Sequence, residues 1–359
     1  MTLDERINAF ERLGNVLNAN DKIPEEFFTD ALSTALQNFE NCIQNEYIHH
    51  SWFIPEFIRK AVEGIRGMLE GAKLRRWLAA YPALMQKTTS KRVGVIIAGN
   101  IPMVGFHDFL CVLMAGDVFI GKLSSNDKHL LPLLAEVLCV LEPRFKNYIL
   151  FTEGKLEQID EIIATGSNNS ARYFDYYFAK YPSIIRKHCN SVAILDGTES
   201  ETELAALVDD ICLYFGLGCR SISKVYVPEN YDFTPLFVLL DAYKPLFSMH
   251  NAFLNNLEYQ KTVHLINRIP FLDQGIMMFK EHHSIASAIG IVHYEYYKDI
   301  EDVWQSLALQ SEVIQCIESR QARGEVGLCF GQSQFPEVWD YANKIDTLTF
   351  LIENSKESI

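Results

Sequence analysis

The chain predicts an α/β fold built on a nucleotide-binding type of sheet, and three stretches carry that prediction. Val93-Gly94-Val95-Ile96-Ile97-Ala98 reads as a buried strand that ends in the turn Gly99-Asn100-Ile101-Pro102. A mostly apolar helix, Met103 to Ala115, follows, and then a second strand, Val118 to Lys122, with Ser124 and Ser125 just beyond it. Strand, turn, helix and strand make one βαβ unit. The third stretch, Ile163-Ala164-Thr165-Gly166-Ser167, ends another short strand and opens a helix from Asn168 to Tyr181. A glycine and small hydroxyls at a helix N-terminus suit a phosphate or a nicotinamide edge, since the N–H groups there are unpaired and point outward.

Taken in order, residues 1–90 read as a helical N-terminal segment, with helix starts at Pro24-Glu25-Glu26 and near Ser51-Trp52-Phe53-Ile54-Pro55. Its aromatic residues, among them Phe27, Phe28, Phe39, Trp52, Phe53, Trp77 and Tyr81, suit packing, with one wall of an acyl tunnel as the alternative. Residues 91–196 form the nucleotide-binding domain, with strands at Val93–Ala98, Val118–Lys122, Tyr148–Phe151, Glu161–Thr165 and Val192–Leu195. Residues 197–323 form a second α/β domain. It starts with a helix from Glu201 to Tyr214, in which Leu204, Leu207, Val208, Ile211 and Phe215 recur at helical spacing. Gly216 and Gly218 end that helix, glycine being suited to the left-handed turn of a helix exit. Cys219 comes next, and Ile222–Val227 then alternates as a strand up to Pro228. A further strand spans Ala286–His293, and residues 324–359 return onto the fold or form an oligomer contact.

Cys219 stands in a glycine-flanked turn between helix and strand, where nucleophilic thiols are placed. Taken alone, such a thiol is more often a small core residue. Cys212 shares the apolar face with Val208 and Phe215, and Cys189 follows Arg186-Lys187-His188 with no glycine turn. The eight cysteines show no C-x-x-C pairing and no zinc spacing, so no metal site is expected. A chain of 359 residues with 48% hydrophobic content can bury a large core without disulfides, which suits a reducing cytoplasm. No basic-then-apolar signal opens the chain at Met1-Thr2-Leu3-Asp4-Glu5-Arg6. Val93 to Gly121 is apolar enough to suggest a membrane span, but Asn100, Pro102, His107, Asp108 and Asp117 interrupt it. The formal net charge of −14 argues against general nucleic-acid binding. Any polyanionic ligand needs local positive charge, for which Lys122, Lys128, Arg172, Arg186, Lys187 and Arg220 are candidates.

The three segments and the cysteine turn, in this order, resemble the aldehyde dehydrogenase superfamily. The segments Asn100-Ile101-Pro102, Thr165-Gly166-Ser167, Gly218-Cys219-Arg220 and Phe330-Gly331-Gln332 with Trp339-Asp340-Tyr341-Ala342 and Asp346-Thr347-Leu348 resemble the LuxC-type acyl-CoA reductases more closely. The resemblance spans roughly residues 45–352. It implies an aldehyde dehydrogenase-like fold, a Rossmann-type cofactor domain beside an α/β catalytic domain. It also implies Cys219 as nucleophile, Asn100 as oxyanion donor, Lys122 at the adenosine ribose, and Gly166 and Ser167 by the nicotinamide. Isoleucine, Ile194, stands where hydrolytic relatives carry a water-activating glutamate, and the segment holding their ribose glutamate is missing, Glu281 being the nearest acid. The resemblance therefore implies reduction of an activated acyl group. The expected reaction takes a long-chain acyl-CoA or acyl-protein thioester through a Cys219 thioacyl enzyme to the aldehyde. NADPH is the expected cofactor, because Ser125 stands where NAD-preferring relatives place an acid, three residues after the ribose lysine; Ser124 and Ser125 also suit a helix cap. An acyl-phosphate reductase, a short-chain CoA-acylating aldehyde dehydrogenase and, last, a non-enzymatic interaction module are the alternatives. A homo-oligomer, with an acyl-transfer or acyl-activating protein as a further partner, completes the expectation.

Overall fold

A computed structural model describes residues 1–17, 29–324 and 326–353; the helix start at Pro24-Glu25-Glu26, with Phe27 and Phe28, lies outside them. The chain divides into two compact units, Met1–His188 with the segment from Pro336, and Cys189–Phe335. The division thus falls at 188/189 and 335/336, where the sequence reading placed it at 196/197 and 323/324.

Unit one opens with helices α1 (Leu3–Val16), α2 (Asp30–Asn45), α3 (Pro55–Met68) and α4 (Gly71–Ala79). A Thr2/Glu5 capping box starts α1, and Pro55 sits in the first turn of α3, where its missing N–H costs nothing. Phe10, Leu13, Phe39, Ile58 and Trp77 from these helices, with Phe53 just before α3, are buried in one core. A parallel sheet follows: β1 (Arg92–Ile96), α5 (Phe106–Met114), β2 (Val118–Lys122), α6 (Leu130–Leu141), β3 (Ile149–Thr152), β4 (Glu161–Thr165), α7 (Asn168–Tyr177) and β5 (Ser183–Arg186), with strand order β3-β2-β1-β4-β5. The fifth strand is β5, not Val192–Leu195; only four residues long, it carries little periodicity. Helix α5 starts three residues later than its apolar run, because Met103 takes a left-handed φ of 53° and its N–H is held by Asp127 Oδ2 at 2.9 Å. Helix α7 likewise ends at Tyr177, four residues short of the expected end.

Unit two contains β6 (Asn190–Ile194), α8 (Glu201–Cys212), β7 (Ile222–Pro228), α9 (Thr234–Leu240), α10 (Lys244–Ser248), α11 (Asn251–Ile266), β8 (Leu272–Asp273), β9 (Met278–Glu281), β10 (Ile291–Tyr297), α12 (Ile300–Ala308), β11 (Ile314–Ser319) and β12 (Gly327–Leu328). Its sheet runs β12-β11-β6-β7-β10-β9-β8 and is parallel except for β8 against β9. The expected strand at Val192–Leu195 is β6 of this sheet: a continuous apolar strand suits any parallel sheet and does not name its own. The strand expected at Ala286–His293 is β10, which begins only after Gly290 has turned the chain at φ 79°.

From Pro336 the chain belongs to unit one again and ends its described part in α13 (Thr347–Glu353). Val338, Leu348 and Leu351 are fully buried in the N-terminal core. Tyr341 accepts from Trp77 Nε1 at 2.9 Å, and Asp346 from the Tyr81 hydroxyl at 2.8 Å. Arg186, a candidate for polyanion binding, is instead 2% exposed. Its Nη1 donates to both Asp108 oxygens at 2.8 and 2.7 Å, and its Nη2 to Thr347 Oγ1 at 2.7 Å.

Candidate active site

In unit one, β2, β1 and β4 are neighbours, and Ile96 pairs with both Lys122 and Ala164, so the three strands end level. The segments carrying Asn100, Lys122 with Ser124 and Ser125, and Gly166 with Ser167 therefore leave the same carboxyl edge. The chain steps from β1 to β2 on one side and resumes with β4 on the other, which is the switch point where open parallel sheets bind ligands. Close approach fixes two of these turns. A Cβ on Gly99 would lie within 2.7 Å of Ser124 Cβ, and one on Gly166 within 2.9 Å of Ser170 Cβ. Ser167 caps α7, its Oγ accepting from Ser170 N at 3.1 Å. Ser124 and Ser125 do not cap α6, which starts only at Leu130; Ser124 Oγ accepts from Asn126 N at 3.2 Å inside the loop.

Lys122 is half-buried and donates to the Gly154 carbonyl at 3.0 Å. Lys128 lies just before α6, and its ammonium is 2.5 Å from Glu153. Glu153 is the residue sequence reasoning misses: only the pairing of Lys122 with Thr152 brings this acid beside the strand-end lysine. Asp127, in the same loop, is 2% exposed. Burial pushes its carboxyl up to about 6, against the pull of the Met103 N–H. Asn100 is half-buried in the loop that Asp127 pins through Met103. These residues fit a nucleotide cofactor: a lysine and small hydroxyls on a carboxyl sheet edge, with glycine where the loops touch. His107, on α5, is tied into the fold, its Nε2 2.8 Å from the Val338 carbonyl.

In unit two, α8 begins with a Ser200/Glu203 capping box and ends at Cys212, two residues earlier than its apolar spacing suggests. Tyr214, Phe215 and Gly216 then take successive left-handed conformations at φ 56°, 55° and 75°, whereas Gly218 does not. Such a backbone costs a non-glycine residue about 1–2 kcal/mol. What offsets it is Phe215, 1% exposed and packed on Phe247, His250 and Phe253 at ring distances of 5.0, 4.4 and 5.5 Å. The chain next turns through Gly218–Ser221, closed by Ser221 N to Gly218 O at 3.1 Å, with Cys219 partly exposed in the turn.

Two further residues hold this turn. Ser191 Oγ on β6 donates to the Cys219 carbonyl at 2.9 Å, and Gln334 Nε2 donates to Ser221 Oγ at 3.2 Å. Gln334 belongs to the segment after β12, whose Gly331 and Gln334 N–H groups bond Asp210 of α8 and whose Ser333 N–H bonds Glu318 of β11. Arg220 reaches Cys316 Sγ at 3.2 Å. Burial drives the Cys212 and Cys111 thiols well above the ordinary range and Cys139 to about 11. Cys189 is 2% exposed and donates to the Glu312 carbonyl at 3.5 Å. Cys329 is exposed, a rival the sequence reading does not consider, but it directly follows the two-residue strand β12 and does not lie in a helix-to-strand turn. Ile194, which the resemblance sets where hydrolytic relatives carry a glutamate, is buried at the end of β6, and Glu281 is exposed at the end of β9.

A five-stranded parallel sheet with a lysine-and-glycine edge, and a second sheet with a cysteine in a helix-to-strand turn, define an aldehyde dehydrogenase-like α/β protein. The chain belongs to the LuxC family of acyl-CoA reductases, whose sequence model matches residues 29–236. Solved structures share the fold. Aldehyde dehydrogenase 21 from Physcomitrella patens, in complex with succinate, has a TM-score of 0.58 at 11% identity, over 89% of this chain and 74% of its own. KauB from Pseudomonas aeruginosa gives 0.57 at 15%, over 85% and 69%. A mutant of aldehyde dehydrogenase C from Pseudomonas syringae, with NAD+ and octanal, gives 0.56 at 14%, over 84% and 69%. No curated protein sequence matches the chain. Family membership places its activity among acyl-CoA reductases, and the solved structures show the fold they share. Among the described residues no helix is long and apolar enough to cross a membrane, and no cluster of acidic, histidine or cysteine residues could hold a metal ion.

Proposed function

We propose that the protein reduces a long-chain acyl thioester, acyl-CoA or acyl-protein, to the aldehyde, with NADPH as reductant and Cys219 as nucleophile. The Cys219 turn carries the reading: the residue is partly exposed, Ser191 holds its carbonyl, Gln334 holds the Ser221 hydroxyl of the same turn, and the chain belongs to a reductase family. The Cys219 thiolate attacks the thioester carbonyl. The Asn100 amide and the Cys219 N–H serve as oxyanion donors, each worth about 3 kcal/mol in comparable sites. Expulsion of the thiolate leaving group leaves an acylated Cys219. Ile194 cannot activate water there, so the acyl group is kept for reduction. NADPH, when bound, supplies the hydride; Lys122, Ser124 and Ser125 hold its adenosine end, and Gly166 and Ser167 its nicotinamide end. Release of the aldehyde returns the Cys219 thiolate.

The test combines palmitoyl-CoA with NADPH, followed at the nicotinamide absorbance, and capture of labelled acyl groups by the wild type and Cys219→Ala. Reduction together with a base-labile acyl enzyme lost in Cys219→Ala is the expected result. Acyl capture that survives Cys219→Ala but not Cys189→Ala or Cys212→Ala overturns the nucleophile. Turnover of acyl phosphates or acetyl-CoA in place of palmitoyl-CoA overturns the substrate.

A further inference from the structure

We propose that Ser191 is a positioning residue for Cys219, an inference that rests on the reading of Cys219 as nucleophile. Ser191 is fully buried in β6, at a place where the ladders on both sides slip. Towards β7, Ser191 pairs with Ile222 but Val192 already pairs with Lys224, leaving Ser223 without a position in the ladder. Towards β11, Asn190 pairs with Ile314 and Val192 with Ile317, so two residues there, Gln315 and Cys316, oppose Ser191 alone. A bulge interrupts main-chain pairing and re-aims the strand. Here one hydroxyl replaces the pairing that is lost: Ser191 Oγ accepts from the Cys316 N–H at 3.1 Å and donates to the Cys219 carbonyl at 2.9 Å. Ser223 Oγ meets the Ser191 carbonyl from the other side, at 3.2 Å.

The hydroxyl has a single hydrogen, and it goes to the residue carrying the thiol. A fixed Cys219 carbonyl fixes the Cys219–Arg220 peptide plane, because that plane is rigid. With Ser221 N bonded to Gly218 O, both peptides after Gly218 are then tied down, and the thiol's direction is set from within the sheet. Alanine at 191 keeps the size of the core but removes that link, leaving the Cys219 carbonyl and the Cys316 N–H without this partner.

The experiment reads the thiol without substrate: the second-order rate of Cys219 alkylation by iodoacetamide, assigned by peptide mapping, across a range of pH. The variants are Ser191→Ala, Ser191→Thr and Ser223→Ala. Ser223→Ala removes a neighbouring hydroxyl that makes no bond to the cysteine. Ser191→Ala is expected to slow Cys219 alkylation several-fold and alter its pH profile. It should also lower kcat about tenfold or more while KM for acyl-CoA stays within about twofold, the signature of misplacement rather than lost binding. Ser191→Thr, which keeps the hydroxyl, should restore both, and Ser223→Ala should leave both near wild type. Wild-type alkylation in Ser191→Ala, or an equal loss in Ser223→Ala, overturns the proposal. Because alkylation needs no acyl group, it judges Ser191 separately from the Cys219→Ala capture experiment, which judges the nucleophile itself.

Discussion

At the scale of single residues, the proposed oxyanion donor and the proposed cofactor edge can be tested separately. Asn100→Ala should lower kcat by about 10²-fold with little change in cofactor affinity, because an oxyanion donor is used most in the tetrahedral states. A variant with full kcat removes Asn100 from that role. On the proposed reading, cofactor choice follows the charge around Lys122. Ser125 places no acid there, but Glu153 does, and Lys128 at 2.5 Å engages it. NADPH should be preferred to NADH, and Ser125→Glu should shift the kcat/KM ratio towards NADH. Glu153→Gln should tighten binding of 2′,5′-ADP, measured by calorimetry, by a few-fold, as expected for an exposed charge. Equal use of both cofactors by the wild type, or no response to either substitution, overturns this account. Asn100, Lys122, Gly166 and Cys219 could be proposed from sequence because each sits in a short local pattern of strand, turn and helix. Ser191 and Glu153 were not: one is a serine in an apolar strand and the other an acid in a loop, and only strand pairing gives either a neighbour.

Among the elements, loop chemistry separates expectation from structure. The apolar run that predicts a helix from Met103 is correct in composition, yet the first turn is spent on a left-handed Met103 tied to Asp127. Burial raises the Asp127 carboxyl to about 6, so the folded state holds its proton more tightly than the unfolded chain, where an aspartate titrates near 4. A raised acid lends stability below the unfolded value, and that stability is lost as pH climbs towards the folded one. Urea unfolding should therefore show a contribution of up to about 3 kcal/mol disappearing between about pH 4 and 6. Asp127→Asn should flatten the profile over that interval, and an unchanged slope would sink the assignment. The two sheets themselves were only half legible. Strands Glu161–Thr165 and Val118–Lys122 match their predicted limits, whereas Val192–Leu195 was assigned to the wrong sheet and Ser183–Arg186 went unseen. Apolar runs announce a buried strand, but sheet membership comes from pairing.

For the whole molecule, unit one is made of two separated stretches of chain, one of the two roles expected of residues 324–359. Val338, Leu348 and Leu351 complete the core of helices α1–α6, and Thr347 shares Arg186 with Asp108. Burying each such aliphatic side chain contributes about 1.5–3 kcal/mol. Cutting the chain after Phe335 should therefore cost unit one several kcal/mol, seen as a lower urea midpoint and faster proteolysis of residues 29–188. An unchanged midpoint would mean the returning segment is dispensable. The same arrangement orders events on the ribosome. Residues up to His188 emerge first, but the pieces that close their core follow only after Cys189–Phe335, a stretch of about 150 residues. At 5–20 residues per second that interval is roughly 8–30 s, during which the nascent first unit exposes an unfinished apolar face while the second can already fold. Nascent chains stalled before Val338 should thus be bound by holding chaperones and cleaved within residues 29–188, and chains stalled well past Leu351 should resist both.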